Sequence, residues 1–190
     1  MTADFYRKLM QKKLSSDLYE HSLATAETAV MLAERYRARR EKAYLAGLVH
    51  DYGKCLQRSQ LLAAVDYYSI NVDIVTRSET RLLHAPVGAV LLAEELKIND
   101  RELLNAVAYH TTGCNGMTLL AKVLYLADFI EPGRSFAGVT RIRELATANL
   151  DQALLAAVDR TICSVVAKGM KLHPRSVAFR NGLLHKIQGV

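Results

Sequence analysis

The chain has 190 residues, 51% of them hydrophobic and 23% charged, a balance that fits one soluble globular domain with a single substantial core. No apolar run is long enough to span a bilayer, and no low-complexity tract or repeat is visible, so membrane, fibrous and disordered classes are excluded. The formal net charge of +6 favours anionic partners. Arg35, Arg37, Arg39 and Arg40 supply much of it from what reads as the solvated end of a helix, without interleaved stacking aromatics, so no nucleic-acid groove is expected.

The residues from Met1 to Lys8 lack the apolar segment of a secretory signal, and a cytoplasmic location is expected. No sustained two-residue alternation appears, and an all-α fold is predicted: a single compact domain over residues 1–190, with its core at about 16–172. Helices are predicted at 4–13, 16–39, 41–52, 57–66, 71–77, 85–97, 100–110, 117–130, 139–147, 150–171 and 176–187. Cys55, Cys114 and Cys163 are odd in number and widely separated, which predicts thiols rather than a disulfide framework or a CxxC site.

Taken in chain order, several positions stand out. His21 aligns with Leu18, Thr25, Thr28 and Leu32, a mixed stripe that reads as the wall of a partly wet cavity. His50-Asp51 closes the apolar segment that begins at Lys42, and an aspartate there can bridge two ions if the helix ends at that point. Lys54 follows Asp51 by three residues and can face the same pocket. His84 lies just before a helix whose first turn takes Pro86. Asn99, with Glu102 three residues on, is the expected N-cap of the next helix. His110 continues the stripe of Leu103, Ala106 and Val107, either as a ligand or as a cation at a helix C-terminus.

Thr111-Thr112-Gly113 and Glu131-Pro132-Gly133 punctuate the chain after two of the helices. Asp128 extends the stripe of Met117, Ala121 and Leu124. An unpaired carboxylate there would cost several kcal/mol, so it must be protonated, paired with a cation such as Arg134, or bound to a metal. His173 and His185 fit no such pattern. Six nitrogen and oxygen ligands exceed the four of a structural zinc and suit two ions with open positions, such as iron, manganese or cobalt.

The order H…HD…H…H…D resembles the HD-domain metal-dependent phosphohydrolases. The blocks His50-Asp-Tyr-Gly-Lys54, Leu83-His-Ala-Pro-Val-Gly-Ala89, Tyr109-His-Thr-Thr-Gly113 and Leu124 to Arg134 resemble those of the YqeK family, the symmetrical diadenosine tetraphosphate hydrolases. The likeness runs from about His21 to Arg180.

It implies an all-helical fold, a di-iron centre and cleavage of diadenosine tetraphosphate into two ADP by a hydroxide that bridges the metals. It further implies that His21, His50, Asp51 and Asp128 hold one ion and His84 and His110 the second, with Asp51 shared. Lys54 is expected to neutralise a phosphate oxygen, and Thr111, Thr112 and Arg134 to contact phosphate. A homodimer is also in keeping with the family. The alternatives are an HD phosphohydrolase for another nucleotide and a metal-stabilised nucleotide-binding module without turnover.

Overall fold

The computed structural model describes residues 2–189, and residues 1 and 190, the outermost positions of the expected domain, lie outside it. Eleven α-helices are present, with no strand among the described residues: α1 (Ala3–Lys13), α2 (Ser16–Tyr36), α3 (Arg40–Val49), α4 (Arg58–Tyr67), α5 (Ile74–Ser78), α6 (His84–Glu94), α7 (Arg101–Tyr109), α8 (Leu119–Ile130), α9 (Val139–Ala148), α10 (Leu150–Ala167) and α11 (Pro174–Gln188). Two 3₁₀ turns, Tyr52–Cys55 and Thr80–Leu82, precede α4 and α6. No described helix is long and apolar enough to cross a membrane.

Side-chain caps set many of the helix starts. Thr2, Ser15, Asp73, Thr118 and Asn149 each accept a hydrogen bond from a backbone N–H in the first turn of the helix they precede. At α7 the cap is Asp100, not the expected Asn99. Its Oδ1 accepts from the N–H groups of Glu102 and Leu103, while its Oδ2 pairs with Lys42 at 2.6 Å. Either residue could cap by type; the lysine contributed by α3 favours the aspartate.

Several ends fall short of their sequence-based limits for local reasons. Helix α2 stops at Tyr36 because Arg37 turns left-handed (φ 61°), and the chain reverses into α3. Helix α10 stops at Ala167, where Gly169 takes φ 61° and Met170 N–H bonds back to Val165. Helix α5 starts at Ile74 rather than 71, where Asp73 caps it.

Helix α8 is the axis of the core. Leu120, Ala121, Val123, Leu124, Tyr125, Leu126, Ala127 and Ile130 are all buried, on every side of it, as befits a helix surrounded by others. Helices α2, α3, α7, α9 and α10 pack on it. Tyr6 and Met10 of α1 and Phe179 and Leu183 of α11 join the same core.

Two close approaches bring the functional segments together. Gly47 of α3 lies where a Cβ would stand 2.5 Å from Ala26 Cα, which lets α3 press onto α2. At Gly53, a Cβ would strike the backbone carbonyl of His84, and a Cβ at Gly88, one turn further along α6, would stand 3.0 Å from Gly53 N. The turn after His50-Asp51 therefore sits directly on the start of α6.

Candidate metal centre

Six side chains from five helices meet at one point. His21 lies in the second turn of α2, His50 caps the C-terminus of α3 with Asp51 next to it, and His84 opens α6. His110 caps the C-terminus of α7, and Asp128 lies in the last turn of α8. The early end of α3 is what makes this work. Asp51 leaves the helix (φ −95°, ψ 15°), so adjacent residues can aim at a common target.

Three of the imidazoles are held in the same way. The Nδ1–H of His50 donates to the Gly47 carbonyl at 2.7 Å, that of His84 to Arg81 at 2.6 Å, and that of His110 to Val107 at 2.7 Å. Each acceptor lies three residues earlier, at the end of a helix or 3₁₀ turn where carbonyls lack ladder partners. His21 is inside α2, where the ladder has taken those carbonyls. Its Nδ1 instead faces the carboxylate of Glu131 at 3.2 Å.

With Nδ1 protonated, each neutral ring presents an Nε2 lone pair to the centre. Asp51 is completely buried and divides its oxygens between two groups of rings. Its Oδ2 is 3.3 Å from His50 Nε2 and 3.6 Å from His21 Nε2. Its Oδ1 is 3.3 Å from His84 Nε2 and 3.5 Å from His110 Nε2. Asp128 Oδ1 approaches His21 Nε2 at 3.0 Å and His50 Nε2 at 3.8 Å.

Acceptors therefore face acceptors. His84 and His110 bring their Nε2 atoms within 3.1 Å, and His21 Nε2, His50 Nε2 and Asp51 Oδ1 are buried without a hydrogen-bond partner. Hydrogen bonding among these groups cannot satisfy such a set, whereas a cation can. Three overlapping ligand groups each have the spacing for an ion: His21, His50 and Asp51; His50, His110 and Asp128; and Asp51, His84 and His110. The residues fit divalent metal.

Without a cation, protons on the rings must do the same work for the carboxylates. Burial pushes the Asp51 carboxyl up, but the imidazoles of His50, His110 and His84 outweigh it and hold the group well below the usual carboxylate range. Asp128 is held down against burial in the same way by His21, His50 and Arg134. Burial and the neighbouring rings lower His110 despite its contact with Asp51. Burial also works against a charge on His50, yet Asp51 and Asp128 raise it. Two anionic carboxylates beside a neutral His110 give metal the protonation states it requires at those groups.

Around this shell, Lys54 Nζ contacts Asp51 Oδ2 at 2.6 Å and is partly exposed. Arg134 pairs with Asp128 at 2.6 Å and donates to its backbone carbonyl. Thr111 is half-buried beside His110, whereas Thr112 is buried and its hydroxyl donates to the Gly113 carbonyl. Thr112 thus serves the turn, and its hydroxyl is already committed. His173 and His185 stay outside the cluster: His173 caps α11 and bonds Thr76 and Asp73, and His185 is exposed. All three cysteines remain thiols.

Two structural supports were not expected from the sequence. Glu131, only 4% exposed, orients His21 and accepts from Gly133 N–H at 2.5 Å. Arg143 of α9 donates to the carbonyls of Ile130, Glu131 and Arg134 and so clamps the turn that carries Glu131. The available signal was an acidic residue three places after a ligand; read alone, Glu131-Pro132-Gly133 marks only a turn.

A family model described as "HD domain" matches residues 18–133, a span that contains all six converging residues. The chain belongs to the HD-domain family, in its YqeK branch. It is 36% identical over 177 residues to the "Bis(5'-nucleosyl)-tetraphosphatase, symmetrical" of Halalkalibacterium halodurans, covering 93% of this chain and 94% of that one. The Bacillus subtilis protein of the same name is 35% identical, over 92% of this chain and 94% of its own. A crystal structure of a predicted HD superfamily hydrolase from Clostridium acetobutylicum, described as involved in NAD metabolism, superposes with a TM-score of 0.94. It is 37% identical and covers 98% of each chain.

Proposed function

We propose that this protein hydrolyses diadenosine tetraphosphate symmetrically to two ADP at a centre of two metal ions, iron before manganese or cobalt. The observation that carries the two-ion reading is Asp51, whose two oxygens face two different pairs of imidazoles. The relatives' names supply the substrate and the symmetry. His21, His50, Asp51 and Asp128 would hold one ion, and His84 and His110, with Asp51 shared, the other. The whole chain is read as one such domain, because α1 and α11 bury residues in the common core.

Metal bound there would supply a water of lowered pKa and a positive field for phosphoryl oxygens. The chain's own residues do the rest. Asp51 fixes the spacing between the two halves of the centre. Lys54 presents a compact charge beside it for a non-bridging phosphate oxygen. Arg134, partly exposed at the rim, is placed to exchange its pairing with Asp128 for substrate phosphate, and Thr111 offers a hydroxyl next to His110. A polyphosphate leaving group is already acidic, so positioning and charge stabilisation supply most of the acceleration.

The test is product identification across a panel of nucleotides that includes NAD, since one relative is described as involved in NAD metabolism. Metal-loaded protein should release two equivalents of ADP from diadenosine tetraphosphate. ATP plus AMP would overturn the symmetry, and faster turnover of another nucleotide would overturn the substrate. Asp51→Asn should abolish hydrolysis while the helical circular-dichroism signal persists. Inactivity of the metal-replete wild type on every nucleotide would leave a binding module.

A further inference from the structure

A cleft of about 500 Å³ opens from the metal centre beyond Asp128 and Arg134. The end of α8, the helix α10 and the segment before His84 form its walls. Four cations line it, Arg81, Arg134, Arg160 and Lys168, against the single carboxylate of Asp128. Arg134 already pairs with Asp128 and Arg81 lies 4.0 Å from Glu79, whereas neither Arg160 nor Lys168 has an ion-pair partner among the described residues. Such a surplus of positive charge beside a phosphoryl-transfer centre calls for an anion with several charges.

The same cleft holds two aromatic rings and a guanidinium. Phe129 and Phe136 meet edge to face, with ring centroids 4.9 Å apart at 67°. The guanidinium of Arg160 lies over the Phe136 ring, 5.7 Å from its centroid. A planar cation held against an aromatic ring offers a stacking surface to a nucleobase, which a lysine at the same place would not. Stacking and phosphate-binding elements thus occur in one cavity that ends at the metal ligands.

Size limits the occupant. Small-ligand sites span about 300–1,000 Å³, and this cleft, at about 500 Å³, has room for one nucleotide. We propose that it seats one ADP half of the substrate. The base stacks on the Arg160–Phe136 platform, and the diphosphate runs past Lys168, Arg81 and Arg134 towards Asp128. The other half extends beyond the centre. This assignment rests on the tetraphosphatase reading for the identity of the nucleotide. Because the two halves of the substrate are identical, either can enter, and ADP should compete with substrate as a product.

Calorimetric titration of the metal-loaded protein with ADP, and separately with pyrophosphate, tests the assignment. Wild type should bind ADP at least tenfold more tightly than pyrophosphate. Phe136→Ala and Arg160→Ala should each weaken ADP binding tenfold or more. Arg160→Lys, which keeps the charge and loses the plane, should weaken it nearly as much as Arg160→Ala. Both side chains are partly exposed or at the surface, so the two positions provide independent variants if one fails to fold. Equal affinity of wild type for ADP and pyrophosphate, or unchanged ADP binding in both alanine variants, would overturn the subsite. A wild type that binds ADP through these residues but releases no ADP from diadenosine tetraphosphate would overturn the substrate reading and support the subsite.

Discussion

Glu131 shows how one residue can matter without touching the reacting atoms. The other three rings use carbonyls left over at the ends of their own helices or turns, and His21 cannot, because it sits inside α2. A carboxylate on Nδ1–H fixes the tautomer and makes Nε2 a better ligand. Glu131→Ala should therefore weaken metal binding about 10–100-fold, and Glu131→Gln, which retains an acceptor, should restore part of it. The measurement is metal affinity by competition with a chelator; unchanged affinity in the alanine variant would remove this role. The six converging residues could be picked out in the sequence because polar groups on helical stripes or at helix ends recur there in the order that resembles the HD family. Glu131 could not, since its partner is 110 positions away.

Among the elements, helix types and most boundaries follow from periodicity and caps, and the departures come from tertiary contact. Asn99 and Asp100 are equivalent caps by residue type until Lys42 reaches across from α3. The helix predicted to run to residue 52 stops at Val49, and the 3₁₀ turn Tyr52–Cys55 follows, with Gly53 pressed on His84. A similar contact fastens the short α5 to α11: Asp73 caps α5, accepts from Thr76 Oγ1 at 2.9 Å and lies 2.9 Å from His173 Nε2. Burial opposes ionisation of Asp73, but the Thr76 bonds and His173 bring its pKa down to about 2. A depressed carboxyl stabilises the fold fully above its ordinary value of 3.8 and loses that contribution as pH falls towards about 2. Asp73→Asn keeps the cap and removes the charge. Its melting temperature should lie below that of wild type at neutral pH, and the gap should close between about pH 4 and pH 2. A gap independent of pH would contradict the assignment.

At the scale of the molecule, α8 and the close fit of α3 on α2 act as a frame that brings the candidate ligands from positions 21 to 128 to one point. That convergence was expected from the order of the ligands. The division of Asp51's oxygens between two pairs of rings is the arrangement expected if the helix ended at that point, and α3 does stop at Val49. The charge excess also resolves into parts: Arg35, Arg37, Arg39 and Arg40 are solvated, as expected, while Arg81, Arg134, Arg160 and Lys168 gather around the cleft. If Asp51 is shared by two ions, elemental analysis of purified, metal-loaded protein should find two per chain in wild type. His84→Ala, which disarms one side, should retain one, and Asp51→Asn should retain fewer than one. A wild type that saturates with a single ion, or an Asp51→Asn variant that keeps two, would contradict it.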